Sequence, residues 1–254
     1  MGVNINYENK QNYKRKEIQV DRDLLLNGMK YKVSFELDLK RNPYKGKYIV
    51  IEGIDGCGKT TQAEKITKYF EKQKKKVWNI HEPTRTDAIG SIIHDFLNKK
   101  IVLPPQAVQY LYTADRIYQQ ENLTVPLLKK GNIIISQRCF WSSVPYGMMD
   151  RFSGKFSFKE KDNLLMALSI LSMYYQVLAP NITIYLRTSA KVAHNRLSKV
   201  GIEEHYDKFN KLLGIEKGYE WMVKTFPKEF IIINGEQSEE EVTREIIEKI
   251  NNIS

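Results

Sequence analysis

The stretch KYIVIEGIDGCGKTTQAEKITKYFEKQ, Lys47 to Gln73, runs from an apolar strand through a glycine-rich turn into an amphipathic helix. Within it, GIDGCGKT, Gly53 to Thr60, fits the spacing G-x-x-x-x-G-K-[ST] in the strand-to-helix context that the motif needs. Gly53, Gly56 and Gly58 let the backbone curl so that N–H groups converge on an anion. The helix N-terminus adds its partial positive charge to that cradle. Lys59 is placed to reach the β- and γ-phosphates of a nucleotide, and Thr60 to coordinate Mg²⁺. ATP or GTP binding follows, with Gly53, Gly56, Cys57, Gly58, Lys59, Thr60 and Thr61 as the binding loop and Thr60 as the metal residue.

Downstream, short apolar strands alternate with longer amphipathic runs. KVWNIHEP, NIIIS, NITIYLR and EFIIING read as four more strands. TDAIGSIIHDFLN, PPQAVQYLYTADRIYQQENL and KEKDNLLMALSILSMYYQVLA read as helices, the last a single long one. Such β-α-β alternation with nearly all-apolar strands predicts an α/β, three-layer P-loop NTPase fold, a five-stranded parallel sheet flanked by helices. Ligands of such sheets bind beyond the carboxyl ends of the strands. That rule singles out residues 53–60, 81–85, 137–146 and 187–199.

Residues 1–46 differ from this pattern and read as a basic N-terminal extension preceding a nucleotide kinase domain at 47–254. The first sixteen are polar. Tyr31, Val33, Phe35, Leu37 and Leu39 then alternate with polar residues after Asn27-Gly28, a turn-favouring pair. A β-hairpin is predicted at about 17–40, able to cover a sheet edge, form a dimer contact or bind a partner. The net charge of +10 suits polyanions, either nucleic acid or a nucleoside polyphosphate. No apolar run approaches the ~20 residues of a membrane span, and the N-terminus does not resemble a secretory signal. Two cysteines do not make a disulfide framework, and no Cys/His constellation suggests zinc, so a reducing, cytoplasmic setting is expected.

YIVIEGIDGCGKTTQ, HEPTRTDAIG, LYTADR and QRCFWSSVPY, in this order, resemble the thymidylate kinase family of nucleoside monophosphate kinases over about residues 47–250. The resemblance implies transfer of a phosphoryl group from ATP to dTMP, with Mg²⁺, in a homodimer, and makes nucleic acid an unexpected partner. It implies Lys59, Arg138, Asp55 and Glu82 as catalytic residues. Asp55 would face the acceptor's sugar or phosphate, and Arg85 its phosphate. Tyr112 would stack on the base while Arg116, four residues on, binds its carbonyl edge. Asp115 would orient Arg116 or Arg138. Arg138 would bridge donor and acceptor phosphates, Ser142 and Ser143 would lie near the base, and Tyr146 against the deoxyribose. Arg196 and Lys199 would belong to a lid over ATP, and the backbone of NGEQSEEEV would lie near adenine. Glu82 would order metal-bound water or pair with an arginine.

Several positions depart from the family pattern. Gln137 stands where Asp is general, Cys139 where Tyr is often found, Gly147 where Gln is usual, His81 for a common Arg, and Arg187 where Asp often ends the fourth strand. Gln137 drops one negative charge from the metal corner, so weakened magnesium binding is expected, with Thr60, Asp55, Glu82 and the nucleotide doing more. Two alternatives stay open: a deoxynucleoside kinase with Glu82 as base, and a catalytically weak nucleotide-binding module whose hairpin binds a partner.

Overall fold

A computed structural model describes residues 38–85, 87–151, 160–201 and 208–252. Five strands form one parallel sheet: β1 Lys47–Glu52, β2 Val77–His81, β3 Ile133–Gln137, β4 Ile182–Arg187 and β5 Ile231–Asn234. Their order across the sheet is β2-β3-β1-β4-β5. The register pairs Ile51 with Gln137 and with Ile184, so the ends of three strands open onto one edge. The sheet is that of the α/β P-loop fold.

The middle strands are buried on both faces, which is why their sequences are continuous apolar runs rather than alternating ones. Ile134 and Ile135 are fully buried, each contributing about 1.5–3 kcal/mol of apolar burial. The two edge strands are more open: β2 exposes Trp78 and Asn79, and β5 exposes Ile232 and Asn234.

Helices α1 Lys59–Lys72, α2 Ala88–Leu97, α3 Pro105–Gln119, α4 Val125–Lys129, α5 Ser143–Arg151, α6 Glu160–Leu171, α7 Ala190–Val200, α8 Phe209–Thr225 and α9 Glu239–Asn252 are arranged around the sheet. Helix α1 turns Gln62, Ala63, Ile66 and Phe70 inward, the three- and four-residue spacing of one helical face. A π-turn at Gln120–Thr124 carries α3 on into α4, so the predicted helix runs further than its periodicity indicated.

The run read as one long helix to Ala179 instead ends at Leu171 and tightens into a 3₁₀ turn, Ser172–Tyr174. The change buries Tyr174 and delivers its hydroxyl to Arg116 and Ser143. A hydrogen-bonding demand inside the core thus outweighs helical periodicity.

The compact unit begins at Leu39. Residues grouped by sequence with the extension pack on it: Arg41 ion-pairs with Glu229, Asn42 bonds Asn181, and the Gly46 N–H bonds the Leu128 carbonyl. The predicted hairpin lies outside the described residues except for its last three, which are not in a strand.

Candidate functional site

The chain leaves β1 through a turn that only glycine accommodates at two points. Gly56 has φ +81°, and a Cβ there would stand 2.5 Å from the Ala193 carbonyl oxygen. Gly58, at φ +101°, caps α1 without a side chain, leaving the first N–H groups of the helix directed outward. Lys59 folds back and donates to the carbonyls of Gly53 and Ile54 at 3.0 and 2.8 Å. Cys57 is buried beneath the loop as a free thiol, and Cys139 is likewise buried and free. Burial pushes the Cys139 thiol up, so it stays protonated.

A cleft of about 560 Å³ opens at the strand ends. It brings together Asp55, Gly56, Gly58, Lys59, Thr60 and Thr61 from the loop and Glu82 and Arg85 from the end of β2. Tyr112 and Arg116 of α3, Arg138, Ser142, Ser143 and Tyr146 beyond β3, and Arg196 of α7 complete that group. Gly53 and Cys57 shape the loop from behind. Lys199 is exposed and is not part of the wall, and residues 202–207, within the segment expected to supply the lid, lie outside the described residues.

Arg138 organises the phosphate end. Its backbone is left-handed, φ +76°, a conformation that costs roughly 1–2 kcal/mol for an L-residue. That geometry accompanies a side chain turned across the loop, where it ion-pairs with Asp55 and bonds the Tyr146 hydroxyl at 2.8 Å. Tyr146 in turn donates to the other Asp55 oxygen at 2.7 Å. Burial raises the Asp55 pKa, but Arg138 and Lys59 more than offset it and hold the carboxyl down at about 2.

Beneath this layer sits Glu52, fully buried at the end of β1. It accepts from the Cys139 N–H at 2.8 Å, Ser142 Oγ at 2.6 Å and the Tyr219 hydroxyl at 2.7 Å. Ser142 therefore links Glu52 to Arg138, whose Nη1 donates to it at 3.1 Å.

The other end of the cleft is built on Arg116. Its Nε donates to Glu82 at 2.5 Å, and its Nη1 to Ser143 and Tyr174 at 2.6 and 2.9 Å. The guanidinium also lies 5.5 Å from the centres of the Tyr112 and Tyr174 rings. Of the two roles given to Glu82, the arginine pairing is the one present. Burial raises the Glu82 pKa to about 7 against the pull of Arg116.

Asp115 orients neither arginine. It accepts from the Thr84 N–H at 2.9 Å and from the Thr84 hydroxyl, fixing the loop after β2. Its place between Tyr112 and Arg116 in sequence turns it toward another element of the fold.

At the metal corner, the Thr60 hydroxyl donates to Gln137 Oε1 at 2.8 Å, and Gln137 Nε2 donates to Asn79 at 3.3 Å. These are neutral hard oxygens of the kind Mg²⁺ accepts beside water and phosphate. The donor set fits magnesium without supplying charge. Asp55 and Glu82, expected to share that load, are committed to arginines. No cluster of three or more His, Cys, Asp or Glu able to hold a metal occurs among the described residues.

Two of the other departures, Arg187 and His81, also find partners. Arg187 makes a two-pronged contact with Glu220 at 2.9 and 3.0 Å. Burial and the charges of Arg138 and Arg85 push His81 down to about 4 despite the Pro83 carbonyl, so it is neutral at pH 7. Arg196 donates to the Cys57 and Gly235 carbonyls at 3.4 and 3.0 Å, beside the loop after β5.

Sequence reasoning missed Glu52, Tyr174, Tyr219 and Gln109. Tyr174 and Tyr219 meet the site only through long-range folding, whereas Glu52 directly precedes Gly53 and was within reach of the motif. Gln109 was within reach: it precedes Tyr112 by three positions and Arg116 by seven, on one helical face. It is almost fully buried, and neither amide atom has a hydrogen-bond partner among the described residues, a cost of about 1–3 kcal/mol.

A family model described as thymidylate kinase matches residues 51–246. A thymidylate kinase of Thermoanaerobacter sp. (strain X514) is 32% identical over 211 residues, covering 81% of this chain and 98% of the relative. A probable thymidylate kinase of Thermococcus gammatolerans is 28% identical over 211 residues, covering 80% and 94%. One from Methanosarcina barkeri is 29% identical over 208 residues, covering 81% and 96%.

Proposed function

Because the chain belongs to the thymidylate kinase family, we propose a working site for the reaction ATP + dTMP → ADP + dTDP, built on the cleft just described. The observation that carries the reading is one cleft with two chemically different ends. Lys59, Arg138 and the helix N-terminus lie at one end, and the Tyr112–Arg116 pair at the other. A nucleotide has the same polarity, anionic at the phosphate and flat and neutral at the base.

In this reading Lys59 and the loop N–H groups hold the donor phosphates. Arg138 neutralises charge developing between donor and acceptor. Arg85, exposed at the cleft wall, binds the acceptor phosphate through its guanidinium fork. Tyr112 stacks on the base, and Arg116 meets a ring carbonyl. Tyr146, fixed by Asp55 and Arg138, packs against the sugar. Arg196 supplies the cation beside the donor, and Lys199 is assigned to the lid.

Thr60 and Gln137 would hold Mg²⁺, which supplies charge neutralisation and orientation to the phosphates. The acceptor phosphate has a second pKa near 6 and is mostly ionised at pH 7, so no general base is required. A nucleoside kinase would need one. The engagement of Glu82 with Arg116 argues against that role.

Tyr110 and Ile117 of α3, seven residues apart and exposed, support a homodimer through that face. Two free thiols support the cytoplasm as the compartment. No described helix is long and apolar enough to cross a membrane.

A Mg²⁺-dependent transfer panel across dTMP, dUMP, CMP, dGMP and thymidine tests the proposal. The expected result is dTDP formation with dTMP as the preferred acceptor. Turnover of thymidine but not dTMP would overturn it.

A further inference from the structure

Two observations meet on α3. Gln109 is 1% exposed, and neither Oε1 nor Nε2 of its amide has a partner among the described residues, yet the side chain lines the cleft. Across from it, Gly147 of α5 has no side chain. A Cβ there would stand 3.0 Å from Gln109 Cδ and 3.1 Å from its Nε2. The glycine leaves the room that Gln109 fills, so an amide of α3 reaches this part of the cleft.

We propose that Gln109 is a specificity-determining residue that reads the carbonyl/N–H edge of the acceptor's pyrimidine ring. This rests on the reading of the cleft as a thymidylate site. An amide matches such an edge in both senses: Nε2 donates to a ring carbonyl while Oε1 accepts from the neighbouring ring N–H. A buried amide with both halves unpaired is compensated when a ligand supplies both partners.

Its neighbours on the same helical face complete the selection. Tyr112 offers the stacking ring. Arg116 Nη2, without a partner among the described residues, offers a donor only. A donor-only group favours a ring carbonyl over an amino group, so the trio suits thymine or uracil better than cytosine.

The test pairs Gln109→Leu, close in size, with two ligands: dTMP and an analogue carrying C–H in place of the ring N3–H. Binding is measured by calorimetry, and thermal melting is recorded for the protein alone. The wild type is expected to bind dTMP about tenfold tighter than the analogue, a usual worth for one buried hydrogen bond. The variant is expected to bind the two alike, with unchanged ATP affinity. Without ligand it should melt at the same temperature as wild type or higher, because an unpaired buried amide has been removed.

The ratio of the two affinities decides the matter independently of folding. An unchanged ratio in the variant, or equal binding of both ligands by the wild type, would overturn the proposal. Absence of dTMP binding to the wild type would instead overturn the thymidylate reading on which it stands.

Discussion

Two carboxylate–arginine pairs flank the cleft, and they are pushed in opposite directions. Asp55 faces Arg138 and also Lys59 at 3.6 Å, so two cations hold its carboxyl down at about 2. Glu82 faces Arg116 alone among the cations of the described residues, and burial, with Glu52 and Asp115 as anionic neighbours, raises it to about 7. Asp55 with its two cations leaves surplus positive charge, whereas the second pair is neutral once Glu82 is ionised. In the proposed reading the phosphates go to the first and the uncharged ring to the second, an orientation that charge balance supports before any shape argument is made.

The largest effect is expected from breaking the cationic pair. Arg138→Ala should lower kcat by about 10³-fold, the scale seen when a charge-stabilising group is removed from a transferring centre. Steady-state dTDP formation checks this, and a loss below tenfold would mean that Arg138 is not at the phosphate in transfer.

Breaking the buried pair should act on the fold instead. Glu82→Leu leaves the Arg116 guanidinium buried without its partner, a loss of about 3–5 kcal/mol at pH 8, where the pair is ionised. Urea unfolding reads it directly. Unaltered stability would show that Arg116 finds a second partner.

The pH dependence sharpens the contrast. Glu82 is raised, so between about 4.5 and 7 the native state holds a proton that the unfolded chain has lost. Wild-type stability relative to Glu82→Gln should therefore fall as pH rises through that window. Asp55 is depressed, so its contribution, on the order of 2 kcal/mol at most, is present above about 4 and lost as pH falls toward 2. Stability relative to Asp55→Asn should thus rise with pH over the lower window. Slopes of the same sign in both comparisons would contradict the account.

Much of this was legible in the sequence because it is local. The phosphate loop, the strand runs and the Tyr112–Arg116 face depend on spacing within one or two elements. What stayed hidden depends on distant elements meeting. Tyr219 on α8 reaches Glu52 beside the loop, and Tyr174 caps Arg116 only because α6 ends early. Gln137 is the instructive middle case. Its identity marked a metal corner without charge, and the sequence reading let Asp55 and Glu82 compensate. Folding gives both carboxylates arginine partners, so the corner is Thr60, Gln137 and Asn79, all neutral.

In the proposed reaction, nucleotide phosphate would then supply the charge that holds magnesium. Measuring dTDP formation across Mg²⁺ concentrations, for the wild type and for Gln137→Asp, tests this most directly. The account predicts that both form dTDP and that the variant half-saturates at a Mg²⁺ concentration several-fold lower, on the scale of one added carboxylate beside a hard cation. No dTDP from the wild type at any Mg²⁺ concentration, or identical Mg²⁺ curves for the two proteins, would contradict it.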